Sequence, residues 1–201
     1  MILACLGDSL TEGDYGLFGK RGIANVQEKG YPYFLARFLG CEVKNYGKCG
    51  FKASAFLRFY DEGAVNVKDA DAVLIMLGTN GGMSASGDSP ENRAYTELIS
   101  RIRRDAPKTQ IFLLTPPHAT EDPKWSNCGY APQVEQAVLF TRAEAARQKL
   151  PLIDIYADAR LQPGFEDWFQ QNDGLHMTEL GYQKLAERVY YELKKALRPE
   201  A

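Results

Sequence analysis

The residues Ala72–Leu77 read Ala-Val-Leu-Ile-Met-Leu, apolar at every position. A strand with one face in water alternates polar and apolar side chains, so an uninterrupted apolar run of this length indicates a strand covered on both faces. Four further apolar, β-rich runs recur along the chain: Ile2–Leu6, Glu42–Tyr46, Gln110–Thr115 and Leu152–Ile155. Helical patterns lie between them. Asp88 can cap one helix, with Pro90 and Glu91 in its first turn and Tyr95, Leu98, Ile99 and Ile102 recurring at helical spacing. Val134, Ala137, Val138 and Ala145 form a second stripe after Pro132. A last helix from Glu179 carries Tyr182, Leu185, Ala186, Val189, Leu193 and Leu197 on one side. Strands alternating with helices predict an α/β fold, a parallel sheet with helices on both faces. Ligands of such sheets bind beyond the carboxyl ends of the strands.

The 201 residues, without repeats, low-complexity tracts or linker-like stretches, predict one domain spanning 1–201. A formal charge of −2 and the lack of a basic stripe argue against nucleic-acid binding. No segment approaches membrane-spanning length. Cys5, Cys41, Cys49 and Cys128 have no metal-ligand spacing and are expected as free thiols; with no leader at the N-terminus, the expected location is cytoplasmic. Two distant histidines and scattered cysteines make no metal set, so no metal and no cofactor are expected. Gly13 and Gly19-Lys20 are one residue too far apart for a phosphate-binding loop, and Arg21 stands where that loop needs Ser or Thr.

The first run leads into Gly7-Asp8-Ser9-Leu10-Thr11-Glu12-Gly13. A serine on a Gly-flanked turn at a strand's end is presented at the rim of the sheet, where an α/β protein puts a nucleophile. Serine needs an adjacent base, and the chain has two histidines, His118 and His176. His176 follows Asp173 by three residues, close enough for the carboxylate to hold one ring nitrogen while the other faces the serine. Asp173 and Thr178 would serve equally as plain helix caps. No aspartate precedes His118 as Asp173 precedes His176, which makes it the runner-up base. Gly78-Thr79-Asn80-Gly81 and Asn45-Tyr46-Gly47-Lys48-Cys49-Gly50 end two other strands and would each pass alone for an ordinary turn.

In order and placement, the four segments resemble the motifs of the SGNH (GDSL-type) hydrolase superfamily. That resemblance implies a three-layer α/β/α sandwich with a five-stranded parallel sheet of flavodoxin-like type. It makes Ser9 the nucleophile, His176 the base and Asp173 its orienter, with an oxyanion hole from the N–H groups of Ser9 and Gly50 and the side chain of Asn80. Gly47 is the alternative donor if the register shifts. Two positions depart from the family pattern: Gly81 where aspartate is common, and Met177 where proline often follows the histidine. The first puts local support for Asn80 in question.

The implied activity is hydrolysis of a carboxylic ester through an acyl-enzyme, with a small-molecule ester as the partner. Related readings are a thioesterase, a lysophospholipase or an acyltransferase; a non-catalytic binding module would retain the fold alone. The loops 14–30 and 116–132 are longer than a connection needs and are expected at the rim. His118, Trp125 and Tyr130 on one, and Tyr15, Phe18, Lys20 and Arg21 on the other, mix aromatic and polar groups suited to a sugar face or a small polar ester, for which a short O-acetyl group is favoured. Trp125 and Tyr130 are equally plausible as loop packing.

Overall fold

The computed structural model describes residues 1–16, 29–162 and 173–196. Five strands, β1 (Ile2–Gly7), β2 (Glu42–Gly47), β3 (Ala72–Met76), β4 (Gln110–Leu114) and β5 (Leu152–Ile153), form one sheet in the order β2-β1-β3-β4-β5, with every neighbouring pair parallel. Among the described residues six α-helices accompany them: α1 (Ser9–Glu12), α2 (Tyr31–Leu39), α3 (Ala53–Asp61), α4 (Pro90–Asp105), α5 (Ala131–Gln148) and α6 (Glu179–Ala196).

Both faces of the central strands are buried, and the period of two divides their side chains between two cores. Val73 and Ile75 point to the face packed by α3, α4 and α5, where Phe56, Tyr95, Leu98 and Phe140 are buried. Ala72, Leu74 and Met76 point to the face of α2 and α6, onto Tyr31, Leu35, Tyr182 and Val189. Strands β1 and β4 split in the same way, with Ala4, Leu6 and Leu113 on the first side and Leu3, Cys5 and Leu114 on the second. An unbroken apolar strand is what two covering layers require, and the result is the three-layer sandwich.

Several boundaries differ from the sequence reading. Strands β3, β4 and β5 each end before the apolar run does. Ser89, not Asp88, caps α4: its hydroxyl accepts the Asn92 N–H at 3.0 Å, while Asp88 pairs with Arg93 in solvent. Both residues are of capping type and adjacent, and the chain direction into the helix decides between them. Leu197, Phe18, Lys20 and Arg21 lie outside the described residues. All four cysteines are unpaired. Among the described residues no helix is long and apolar enough to cross a membrane.

Candidate active site

The strand ends converge at one rim. Past β1, Asp8 caps the single-turn helix α1 by accepting the Leu10 N–H at 3.1 Å, which places Ser9 at the first helical position. An N–H in a helix's first turn has no partner within the helix, so that of Ser9 is directed outward by construction. Gly47, at the end of β2, lies flush against α1. A Cβ on it would overlap the backbone of Thr11 and Glu12. Glycine is required there by close approach rather than by torsion angle.

Opposite Ser9 stands His176. Its Nε2 is 2.9 Å from Ser9 Oγ and its Nδ1 is 2.7 Å from Asp173 Oδ2. A carboxylate only accepts, so Nδ1 carries the ring proton and Nε2 of the neutral imidazole is left as the acceptor facing the serine hydroxyl. Asp173 is held from its other oxygen, where Oδ1 accepts the N–H groups of Leu175 at 2.9 Å and His176 at 3.1 Å. The side-chain amide of Asn127 donates to the same oxygen at 2.7 Å. Thr178 takes the capping role for α6: its carbonyl accepts the Tyr182 N–H at 3.0 Å and its hydroxyl the Gly181 N–H at 3.2 Å.

The charges are matched. Burial pushes the Asp173 carboxyl upward, but the hydrogen bond and charge of His176 together with the Asn127 amide outweigh it and hold the group below the ordinary aspartate value. Burial likewise disfavours a charged His176. The hydrogen bond and charge of Asp173, with the charges of Asp14 and Asp8, reverse this and raise the imidazole above 6.5. Asp8 itself is fully buried with Oδ2 unpartnered, and desolvation pushes its carboxyl up to about 6.

The remaining motif residues lie beside this arrangement. Asn80 donates through Nδ2 to the carbonyl of Phe51 at 3.0 Å, which ties the turn after β3 to the residue following Gly50. An amide nitrogen has two hydrogens, so one remains for a ligand. Gly50 has φ +74 and open space around its α-carbon. The turn that carries it is fixed by Glu12, whose Oε2 accepts the Cys49 N–H at 2.6 Å. The N–H of Gly47 is taken by Asn45 Oδ1 at 2.9 Å, which leaves Gly50 as the better placed donor of the two. Where aspartate is common in the third motif, Gly81 adopts φ +74 and the Gln133 side chain fills the space beside it. Gln133 also donates to the Thr79 carbonyl at 3.2 Å, so the turn takes support from α5.

His118 is engaged elsewhere. Its ring stacks on Tyr156 with centroids 3.5 Å apart, and burial lowers its pKa below 6.5. Trp125 is buried, and its side chain packs against Gly174 beside Thr120. Tyr130 is half-buried against Ala119, Val134, Val138 and Leu175. Both therefore make the packing contacts that loop residues commonly make. Tyr15 stacks on Tyr182 with centroids 5.6 Å apart. Sequence reasoning missed Asn127 and Glu12. Glu12 lay within the first motif, whereas Asn127 carries no local signal, because only the folding back of the loop after β4 brings it to Asp173.

A family model matches residues 5–184 and is described as the GDSL-like lipase/acylhydrolase family. The chain belongs to this family. It is accordingly a hydrolase of the GDSL/SGNH esterase group. Solved structures share its fold over nearly the whole length. A lipase/acylhydrolase from Enterococcus faecalis is 23% identical with TM-score 0.73, covering 100% of this chain and 98% of that one. An aryl esterase from M. smegmatis is 19% identical with TM-score 0.75, covering 98% and 99%. A carbohydrate acetylesterase from Sinorhizobium meliloti is 17% identical with TM-score 0.74, covering 98% and 99%. At such identities the likeness establishes fold alone. No curated protein sequence matches this GDSL-like chain significantly.

Proposed function

We propose that this chain, as a single domain, is a serine esterase that hydrolyses short-acyl esters, O-acetyl above all, of a carbohydrate or similar small polar alcohol. Ser9 is the nucleophile, His176 the general base and Asp173 the residue that orients it. The observation that carries the reading is the unbroken run of contacts from Asp173 Oδ2 to His176 Nδ1 at 2.7 Å and from His176 Nε2 to Ser9 Oγ at 2.9 Å.

In the reaction His176 takes the Ser9 proton as Oγ attacks the ester carbonyl. Charge develops on the carbonyl oxygen and is received by the N–H groups of Ser9 and Gly50 and by the free hydrogen of the Asn80 amide. The imidazolium, paired with Asp173, then protonates the leaving alcohol. Water enters, is deprotonated by the same nitrogen and attacks the acyl carbon, and the imidazolium returns the proton to Ser9 Oγ as the acid leaves. Substrate class is the finer part of the proposal. It is supported by the acetylesterase among the proteins of like fold.

The test is hydrolysis of a nitrophenyl acetate ester by two alanine variants, followed by a panel of acetylated sugars against longer-chain nitrophenyl esters. His176→Ala is expected to lose roughly 10³-fold or more in kcat. His118→Ala stays within a few-fold of the unaltered protein, because its ring is stacked on Tyr156. Loss of turnover in His118→Ala alone overturns the assignment of the base.

A further inference from the structure

The two backbone donors assigned to the oxyanion lie on different elements. That of Ser9 opens α1, and that of Gly50 lies on the connection after β2. Their separation therefore depends on how the exit of β2 is attached to α1. Glu12, the last residue of α1, makes that attachment at both of its ends. Its carbonyl accepts the Asn45 side-chain amide at 3.3 Å, and its Oε2 accepts the Cys49 N–H at 2.6 Å. Between these two points Gly47 lies against the backbone of Thr11 and Glu12.

The connection itself is a tight turn over Lys48–Phe51, in which the Phe51 N–H donates to the Lys48 carbonyl at 3.2 Å. Cys49 has a negative φ and Gly50 a φ of +74, the pattern of a type II turn. Types I and II differ by rotation of the middle peptide through about half a turn. The Cys49–Gly50 peptide thus decides which side of the turn shows an N–H and which a carbonyl. The groups around it are held. The Lys48 N–H donates to the Gly7 carbonyl at 3.0 Å, the Cys49 N–H goes to Glu12, and the Phe51 carbonyl accepts Asn80 Nδ2 at 3.0 Å. Among the described residues the Gly50 N–H has no hydrogen-bond partner, so the middle peptide is left to meet a ligand.

We propose that Glu12 is a positioning residue of the oxyanion hole: its carboxylate ties the Gly50 turn to the nucleophile helix and so fixes the spacing of the Ser9 and Gly50 N–H groups. The proposal rests on the acyl-transfer reading above. Two donors serve one oxygen only where both point at the place it occupies in the transition state. A misplacement of about 1 Å in such a site can cost on the order of a hundredfold in rate. Asn80 grips the other arm of the same turn, so the Glu12 and Asn80 contacts join all three donors into one unit. Glu12 acts through the Cys49 N–H, and what it supplies is an accepting oxygen at the right reach rather than a charge.

Three variants, measured on nitrophenyl acetate, separate reach from charge. Glu12→Ala removes the acceptor. Glu12→Asp keeps the charge on a side chain one methylene shorter, out of reach of the Cys49 N–H. Glu12→Gln keeps the reach and an accepting oxygen without the charge. Glu12→Ala and Glu12→Asp are expected to lower kcat by roughly tenfold or more with KM held within about twofold, because the hole acts on the transition state. Glu12→Gln recovers most of that loss. A trifluoromethyl ketone gives an independent readout: Ser9 Oγ adds to its carbonyl carbon, the serine proton passes to His176, and the ketone oxygen becomes an anion in the same hole. Its inhibition should weaken in each variant by about the factor lost in kcat. A residue that only supported folding would leave both quantities unmoved in the folded protein. Glu12→Asp at full kcat overturns the proposal, as does Glu12→Gln as slow as Glu12→Ala, or a loss confined to KM. If Glu12→Ala does not fold, the comparison of Glu12→Asp with Glu12→Gln decides alone. Absence of turnover in the unaltered protein marks failure of the acyl-transfer reading and removes this proposal with it. Activity lost in Ser9→Ala but kept in Glu12→Asp leaves that reading standing and overturns this proposal alone.

Discussion

Asn127 holds Asp173 at two points: its backbone N–H donates to the Asp173 carbonyl at 3.0 Å, and its side-chain amide donates to Oδ1 at 2.7 Å. With the N–H groups of Leu175 and His176 on the same Oδ1, the carboxylate is fixed in rotation and Oδ2 is left for the imidazole. Asn127→Ala removes one charge-assisted hydrogen bond and leaves two. A bond of this kind is worth about 1.5–3 kcal/mol, so kcat on nitrophenyl acetate should fall by roughly tenfold or somewhat more. KM should hold, because the side chain meets Asp173 and not the substrate. Asn127→Asp places a second negative charge on the same oxygen and should cost more than alanine does.

Asn80 is expected to act in the transition state and not in substrate binding. Its Nδ2 is already oriented by the Phe51 carbonyl at 3.0 Å, so the amide has little to reorganise when an oxyanion forms. Loss of one such donor typically removes about 10²–10³ in kcat. Asn80→Ala should show that loss with KM nearly constant, measured on the same ester. A change confined to KM would place Asn80 in ground-state binding instead.

Asp8 gives a prediction about stability. Its carboxyl is fully buried and titrates at about 6, well above the usual aspartate value of 3.8. A raised carboxyl pKa means that ionisation costs the folded state more than the unfolded one. The cost is absent below pH 3.8, grows as pH rises, and is complete above about 6. A shift of about two units corresponds to about 3 kcal/mol. Asp8→Asn keeps an oxygen for the Leu10 N–H and removes the buried charge, so it should raise the melting temperature at pH 8 by several degrees and change it little near pH 4. Thermal melts at the two pH values check this. Equal effects at both would show that the carboxyl titrates alike in the folded and unfolded protein.

Much of this was readable from the residues. The central strands β1 and β3 announced themselves because a strand covered on both faces is apolar throughout, and the starts of both followed from the same runs. The connections after β1, β2 and β3 carried Ser9, Gly50 and Asn80, and the last turn before α6 carried Asp173 and His176, so short-range order located the four motif segments. The parts that escaped depend on tertiary folding of irregular chain. Asn127 lies 46 residues from Asp173, on a loop with no periodic signal. Asp14 reaches His176 only because the turn after α1 doubles back, an event set by Gly13 and by the Tyr182 hydroxyl on α6. Helix α3 begins after Lys52 and α2 after Gly30, neither with a side-chain cap, so neither start carries that marker. His118 and Trp125 show the converse. A residue type suited to chemistry or to ligands was placed by the fold against Tyr156 or Gly174, as packing.

The most direct measurement is covalent labelling with a fluorophosphonate probe, read by mass spectrometry of the digested protein. Such a probe reacts with a serine whose hydroxyl is activated by a neighbouring base. The account predicts a single adduct on the peptide containing Ser9, absent in Ser9→Ala, strongly reduced in His176→Ala and unchanged in His118→Ala. A folded, unaltered protein that takes no label at Ser9, or takes it equally well without the imidazole at 176, would contradict it.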